Sequence, residues 1–154
     1  MNTVGKSMIA GFIATVVLSA LMIAKMLMGL MPELNAIRML TVMAHGMLGT
    51  PATPAVGWAL HFFIGTVLWG GLFALIGNRL PGSGPVGHGL SFGVLAWVLM
   101  MVMVMPLAGA GLFGLKLGLM APVMTLVLHL VYGAVLGLGQ ARLACGQPSH
   151  PAHA

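Results

Sequence analysis

The chain of 154 residues is 60% hydrophobic and 5% charged, with six lysines and arginines against one acid and a formal net charge of +5. A soluble domain carries roughly a quarter charged residues, so this composition excludes a water-exposed globule and makes lipid the solvent. The six basic residues are scattered without a run or stripe, which excludes nucleic acid as a partner and leaves them as topology signals.

Residues 8–31 form the first apolar segment. A hydrocarbon core needs about 20 residues of helix, and a signal-peptide core has only about 7 to 15, so this segment is read as a spanning helix. Gly11, Thr15 and Ser19 recur in it at the four-residue spacing that lets backbones approach in lipid. Lys25 lies near its end as an interfacial anchor, and a Lys25–Glu33 or Arg38–Glu33 pair is the expected role of the single acid. Residues 32–49 read as a short interfacial helix with a proline at its start and Glu33, Asn35, Arg38 and His45 on one side.

A second span is expected over 58–76, followed by a turn rich in Gly and Pro over 79–85, and a third span over 89–107. Its Met100-Met101-Val102-Met103-Val104-Met105 run sits inside an uninterrupted helix and reads as packing rather than copper handling. The loop 108–118 carries Gly109-x-Gly111-x-x-Gly114, a superficial dinucleotide fingerprint. That fingerprint works only between a strand and a helix, and nothing here makes a parallel sheet. The fourth span is expected over 120–138, with Gly133 and Gly137 matching the Gly89–Gly93 spacing of the third. From 143 to 154 the chain reads as a disordered tail holding Cys145, His150 and His153.

The most informative pattern is a repeat. Pro54-x6-His61-x3-Gly65-x-Val67-Leu68 recurs as Pro122-x6-His129-x3-Gly133-x-Val135-Leu136, and an apolar run ending in Met-Pro precedes each copy, at Met31-Pro32 and Met105-Pro106. The expected fold is therefore an all-α polytopic membrane protein, a single domain over 1–142 made of two parallel helical-hairpin repeats, about 6–80 and 85–142, with one interfacial helix. Like orientation of the hairpins sets His61 and His129 at one depth, roughly 10 Å below the interface if the prolines mark it. Lys6, Arg79 and Arg142 fall on one side, and Arg38 and Lys116 on the other, which favours cytoplasmic termini.

Intramembrane histidines have two readings. The structural one satisfies each neutral ring with a hydrogen bond to a neighbouring helix. The sharper one holds a b-type haem between the second and fourth spans on His61 and His129, with Gly65 and Gly133 clearing room for a flat ring and Arg38 and Lys116 meeting its propionates. A copper or zinc site would require further ligands, the nearest being His45, Met105 and Met120, and no metal is assigned. No carboxylate lies within a span, which removes the usual proton or sodium carrier. No paired carboxylates or activated nucleophile are present, so the chain is read as a non-enzyme.

The strings Lys25-Met-Leu-Met-Gly-Leu-Met-Pro-Glu-Leu-Asn35, Gly57-Trp-Ala-Leu-His-Phe-Phe-Ile-Gly65 with Trp69-Gly70, and Met105-Pro-Leu-Ala-Gly-Ala-Gly-Leu-Phe-Gly114 resemble a group of small bacterial inner-membrane proteins classed as a domain of unknown function. The resemblance covers about residues 5–142 and implies four helices in a bacterial inner membrane, with no activity, substrate or cofactor attached. The expected function is a membrane packing or accessory-subunit role, in a homo-oligomer or a larger complex. The alternatives are a bis-histidine haem or metal protein in electron transfer and an oligomeric small-solute channel or transporter.

Overall fold

The computed structural model describes residues 2–145, and among these it contains helices and no strand. Helices α1 (Thr3–Leu27), α3 (Pro54–Arg79), α4 (Gly84–Leu107) and α5 (Met120–Cys145) are each long and apolar enough to cross a membrane, and α2 (Ala36–Leu48) is the short helix between the first two. The fold class expected from composition and periodicity is the one observed.

The boundaries differ from expectation for identifiable local reasons. α1 begins at Thr3 rather than at 8 because the Asn2 side chain caps it, Oδ1 accepting from the Gly5 N–H at 2.9 Å. It ends at Leu27 rather than at 31, where Gly29 and Met31 take positive φ and turn the chain out of the helix. α2 starts at Ala36, later than Pro32, since Asn35 Oδ1 caps the Arg38 N–H at 3.0 Å, and Gly49 closes it in the left-handed conformation. Glu33 and Asn35 therefore lie outside the helix they were expected to share with Arg38 and His45. α3 starts at Pro54, in keeping with the tolerance of a first helical turn for proline, and α4 starts at Gly84 with Pro85 beside it.

α5 continues through Cys145, so residues 143–145 are helical where a disordered tail was expected. His150 and His153 lie outside the described residues. Between α4 and α5 the Gly109, Gly111 and Gly114 spacing has a conformational cause: all three adopt positive φ, Gly109 and Gly111 in the turn after α4 and Gly114 at the kink that divides the short helical stretch Leu112–Leu117.

α1 packs between α3 and α5, and α4 closes on α5. At the end of the bundle that holds the chain termini these contacts are backbone to backbone. A Cβ on Gly11 would fall 2.8 Å from the Gly65 carbonyl oxygen, one on Gly70 2.9 Å from that of Ser7, and one on Gly137 2.1 Å from that of Pro85. Such close approach is how helices gain van der Waals contact where lipid provides no hydrophobic drive. Over this end Ala10, Ala14, Phe73, Phe92, Ala96, Tyr132 and Leu136 form a buried core. Phe73 and Phe92 meet edge to face at 5.2 Å. At the opposite end a second, methionine-rich core joins Leu34, Met101, Met105 and Ala110. Between the second core and α2 the helices part.

Candidate functional site

Where the small-residue contacts stop, larger side chains hold the helices apart and leave a cavity of about 650 Å³. α1 contributes Leu18 and Met22 to its wall, α3 contributes Trp58 and His61, and α5 contributes Leu128 and His129. α2 and the end of α4 complete it, and no residue of the terminal half of the bundle before Thr15 or beyond Tyr132 lines it. The volume falls in the usual range for small-molecule sites, about 300 to 1,000 Å³. The wall is mostly apolar, with a few polar groups at defined places.

His61 and His129 both line this one cavity. Their helices are joined next to them by a contact invisible in the repeat pattern: the buried Tyr132 hydroxyl on α5 donates to the Gly65 carbonyl on α3 at 2.5 Å. Tyr132 is three residues after His129 and Gly65 four after His61, so the hydrogen bond joins the two helices one turn from the histidines. Gly65 lies in a π-helical turn, Ile64–Trp69, where the α-helical ladder is interrupted and a carbonyl is open to an outside donor.

The two rings are held differently. His129 Nδ1 lies 2.7 Å from the Thr125 carbonyl oxygen one turn earlier; because a carbonyl only accepts, Nδ1 carries the proton and Nε2 is the unprotonated nitrogen. His61 Nε2 lies 3.1 Å from Ser19 Oγ. The Ser19 hydroxyl already donates to the Thr15 carbonyl at 2.7 Å, so Ser19 Oγ accepts from His61 Nε2–H, and the lone pair of His61 is on Nδ1. Neither His61 Nδ1 nor His129 Nε2 has a protein partner among the described residues, and neither is sealed from accessible space.

Gly65 lines the cavity, while the Cβ direction of both Gly65 and Gly133 is taken up by a neighbouring helix. A Cβ on Gly65 would meet Thr15 Oγ1 of α1 at 2.0 Å, and one on Gly133 would meet the Gly89 carbonyl oxygen of α4 at 2.1 Å. Each glycine of the repeat is filled by the preceding spanning helix, so its small size serves helix packing.

Lys25 is buried in the last turn of α1, and its ammonium donates to the carbonyls of Leu30, Met31 and Leu34 at 3.2, 2.9 and 2.7 Å. Those contacts close the turn after α1 over the cavity. No salt bridge joins Glu33 to Lys25 or Arg38 among the described residues. Arg38 is exposed on α2 beside the cavity. His45 is also exposed, with Nδ1 donating to the Thr50 carbonyl, and lies off the cavity wall, as does Met120. Met105 reaches the wall, but its sulfur packs toward Gly114 on the loop side. Among the described residues no group of three or more His, Cys, Asp or Glu side chains converges as a metal site.

The profile of a family of unknown function, DUF6789, matches residues 1–151. The chain belongs to that family. No curated protein and no solved structure matches it. The family membership agrees with the uncharacterised domain family suggested by the motif strings, and what this member's cavity does has to be argued from its own residues. Tyr132 was missed by the sequence reading, and its signal was available: it is the chain's only tyrosine, set three residues from a repeated histidine.

Proposed function

We propose that this protein is a membrane-embedded, non-catalytic binding protein that holds a mainly apolar small molecule between α1, α2, α3 and α5. The observation that carries the reading is the shared cavity of about 650 Å³ lined by His61 and His129, each of which keeps one ring nitrogen without a protein partner among the described residues. A helix bundle built only to pack would fill that space, since unfilled volume forfeits dispersion contacts. Gly65 and Trp69 still line the cavity, and beyond them Gly70 meets the Ser7 backbone of α1, which favours holding a molecule over conducting one.

The two hairpins are read as a duplicated unit in a bacterial inner membrane, with both termini cytoplasmic and the cavity in the outer leaflet. Its support is the paired motif and the basic residues, together with the equivalent placement of Gly65 and Gly133 against the preceding span. The accessory-subunit and homo-oligomer expectations draw on no feature of this cavity.

Purification in mild detergent followed by native mass spectrometry tests the reading. A non-covalent small molecule is expected on the wild type and absent from Leu128→Trp, whose side chain enters the cavity. Wild-type protein that carries nothing and takes up no member of an apolar ligand panel in lipid nanodiscs overturns it.

A second reading is favoured by the His129 ring, because metal-ligating imidazoles usually donate their other N–H to a carbonyl. In it His61 and His129 ligate a b-type haem. A Soret band lost in either His→Ala variant supports it, and protein grown with haem that remains colourless refutes it.

A further inference from the structure

We infer that the cavity selects an apolar molecule bearing a hydroxyl donor, a phenol or a related ring alcohol, whose proton is accepted by one of the two free imidazole nitrogens, His129 Nε2 or His61 Nδ1. The inference rests on the binding role proposed above and specifies its ligand.

The hydroxyl, ammonium and imidazole protons on the wall, and that of Ser19 behind it, can be followed to their acceptors. Thr15 donates to Gly11, Ser19 to Thr15, Thr41 to Ile37, Thr125 to Ala121 and Tyr132 to Gly65, all to backbone carbonyls. Three Lys25 contacts occupy the three ammonium protons. The imidazole N–H groups are engaged as well, with Ser19 and Thr125. Around the histidines, then, the protein's hydroxyl and imidazole protons are turned into its own backbone and side chains, and the ring nitrogens offer lone pairs. A ligand oxygen without a hydrogen would meet those lone pairs with its own, whereas a hydroxyl completes the bond.

The Trp58 indole, beside His61, and the Trp69 indole, the Asn35 amide and the exposed Arg38 add N–H donors to the wall. They accommodate an acceptor at another position of the ligand and leave the preference at the imidazoles unchanged. A ring is favoured over a chain by the neighbours: Trp58 stands edge-on to His61 at 5.8 Å, and Met22, Met26, Met39 and Met100 line the cavity, a residue type whose thioether packs favourably against aromatic rings.

The two imidazoles are not equivalent. His61 is braced across helices by Ser19, while His129 is braced only within α5. The His129 assignment depends on no rotor, because its partner is a carbonyl.

The test compares para-tert-butylphenol with para-tert-butylanisole, which share an apolar body and differ in the hydroxyl proton. Binding of each to the full chain in phosphatidylcholine nanodiscs is measured by equilibrium dialysis, with protein-free nanodiscs as the blank. The wild type should bind the phenol about tenfold more tightly, the worth of one good hydrogen bond. In the double variant His61→Phe/His129→Phe, which lacks both acceptors, the ratio should fall to one while anisole binding is retained, and the single variant that lowers it identifies the accepting ring.

Equal binding of the two compounds to the wild type overturns this inference and leaves the binding role standing. Binding of neither above the blank removes the binding role itself. Should the variants misfold, imidazole nitrogen NMR of the wild type decides: the phenol, and not the anisole, should shift the His129 Nε2 or the His61 Nδ1 resonance, and two unmoved resonances under saturating phenol overturn the proposal.

Discussion

Replacing Gly133 by alanine tests how the bundle is held together. A Cβ at Gly133 would stand 2.1 Å from the Gly89 carbonyl oxygen and 3.1 Å from the Gly93 Cα; ordinary contact begins at 3.4 Å, so α4 and α5 would have to separate locally by about 1.3 Å. The obstacle is backbone on a neighbouring helix, which no side-chain rotation relieves. Overpacking of this kind costs roughly 1–3 kcal/mol, and alanine returns roughly 0.5–1 kcal/mol of helix propensity over glycine. A net loss of about 1–2 kcal/mol is expected, read from reversible unfolding in mixed SDS micelles.

Two companions make the result interpretable. Gly71→Ala, where nothing lies within 4 Å of the added methyl, should leave stability unchanged or raise it by up to about 1 kcal/mol. Gly89→Ala makes the reciprocal clash with the Gly133 carbonyl, also at 2.1 Å. Because either substitution alone already parts the same two helices, the double variant should lose less than the sum of the singles. Gly133→Ala as stable as the wild type, or strictly additive behaviour in the cycle, would refute the reasoning.

Tyr132→Phe removes the donor to the Gly65 carbonyl; a loss of about 1 kcal/mol is expected, with faster amide exchange over 64–70, and unchanged exchange there would count against the contact. Lys25→Met leaves the Leu30, Met31 and Leu34 carbonyls without their donor; limited proteolysis after α1 should accelerate several-fold, and an unaltered cleavage pattern would show that the turn closes without the ammonium. Imidazole nitrogen NMR of the wild type should find His129 protonated on Nδ1 and His61 on Nε2, and identical tautomers for both rings would break the donor assignment. Cys145 is the only cysteine and is exposed at the end of α5, so an impermeant maleimide should label it in inverted vesicles and not in right-side-out ones. The opposite pattern would reverse the proposed topology.

What the residues announced by themselves follows from the solvent they demand. A chain with one acid and long apolar runs can satisfy its backbone in lipid only as helices or a closed barrel, and the spacing of Gly11, Thr15, Gly89 and Gly133 announced close helix contacts before any coordinates. The same patterning drew attention to His61 and His129, and both line one cavity.

Other features lay outside any linear pattern. Apolar content cannot say which residue caps a helix, so α1 was placed too late and α5 ended too early, where Asn2 and the run to Cys145 set the limits. Gly65 and Gly133 were read as space for a ligand; a missing side chain has no partner written beside it, and their Cβ directions face Thr15 and Gly89 on other helices. The Tyr132–Gly65 bond joins residues 67 apart, and the three-carbonyl seat of Lys25 exists only once the chain has turned back on itself. Periodicity thus determined which segments are helical and which faces are small. The cavity, and the protons that line it, were decided by where those faces touch and where bulkier residues keep them apart.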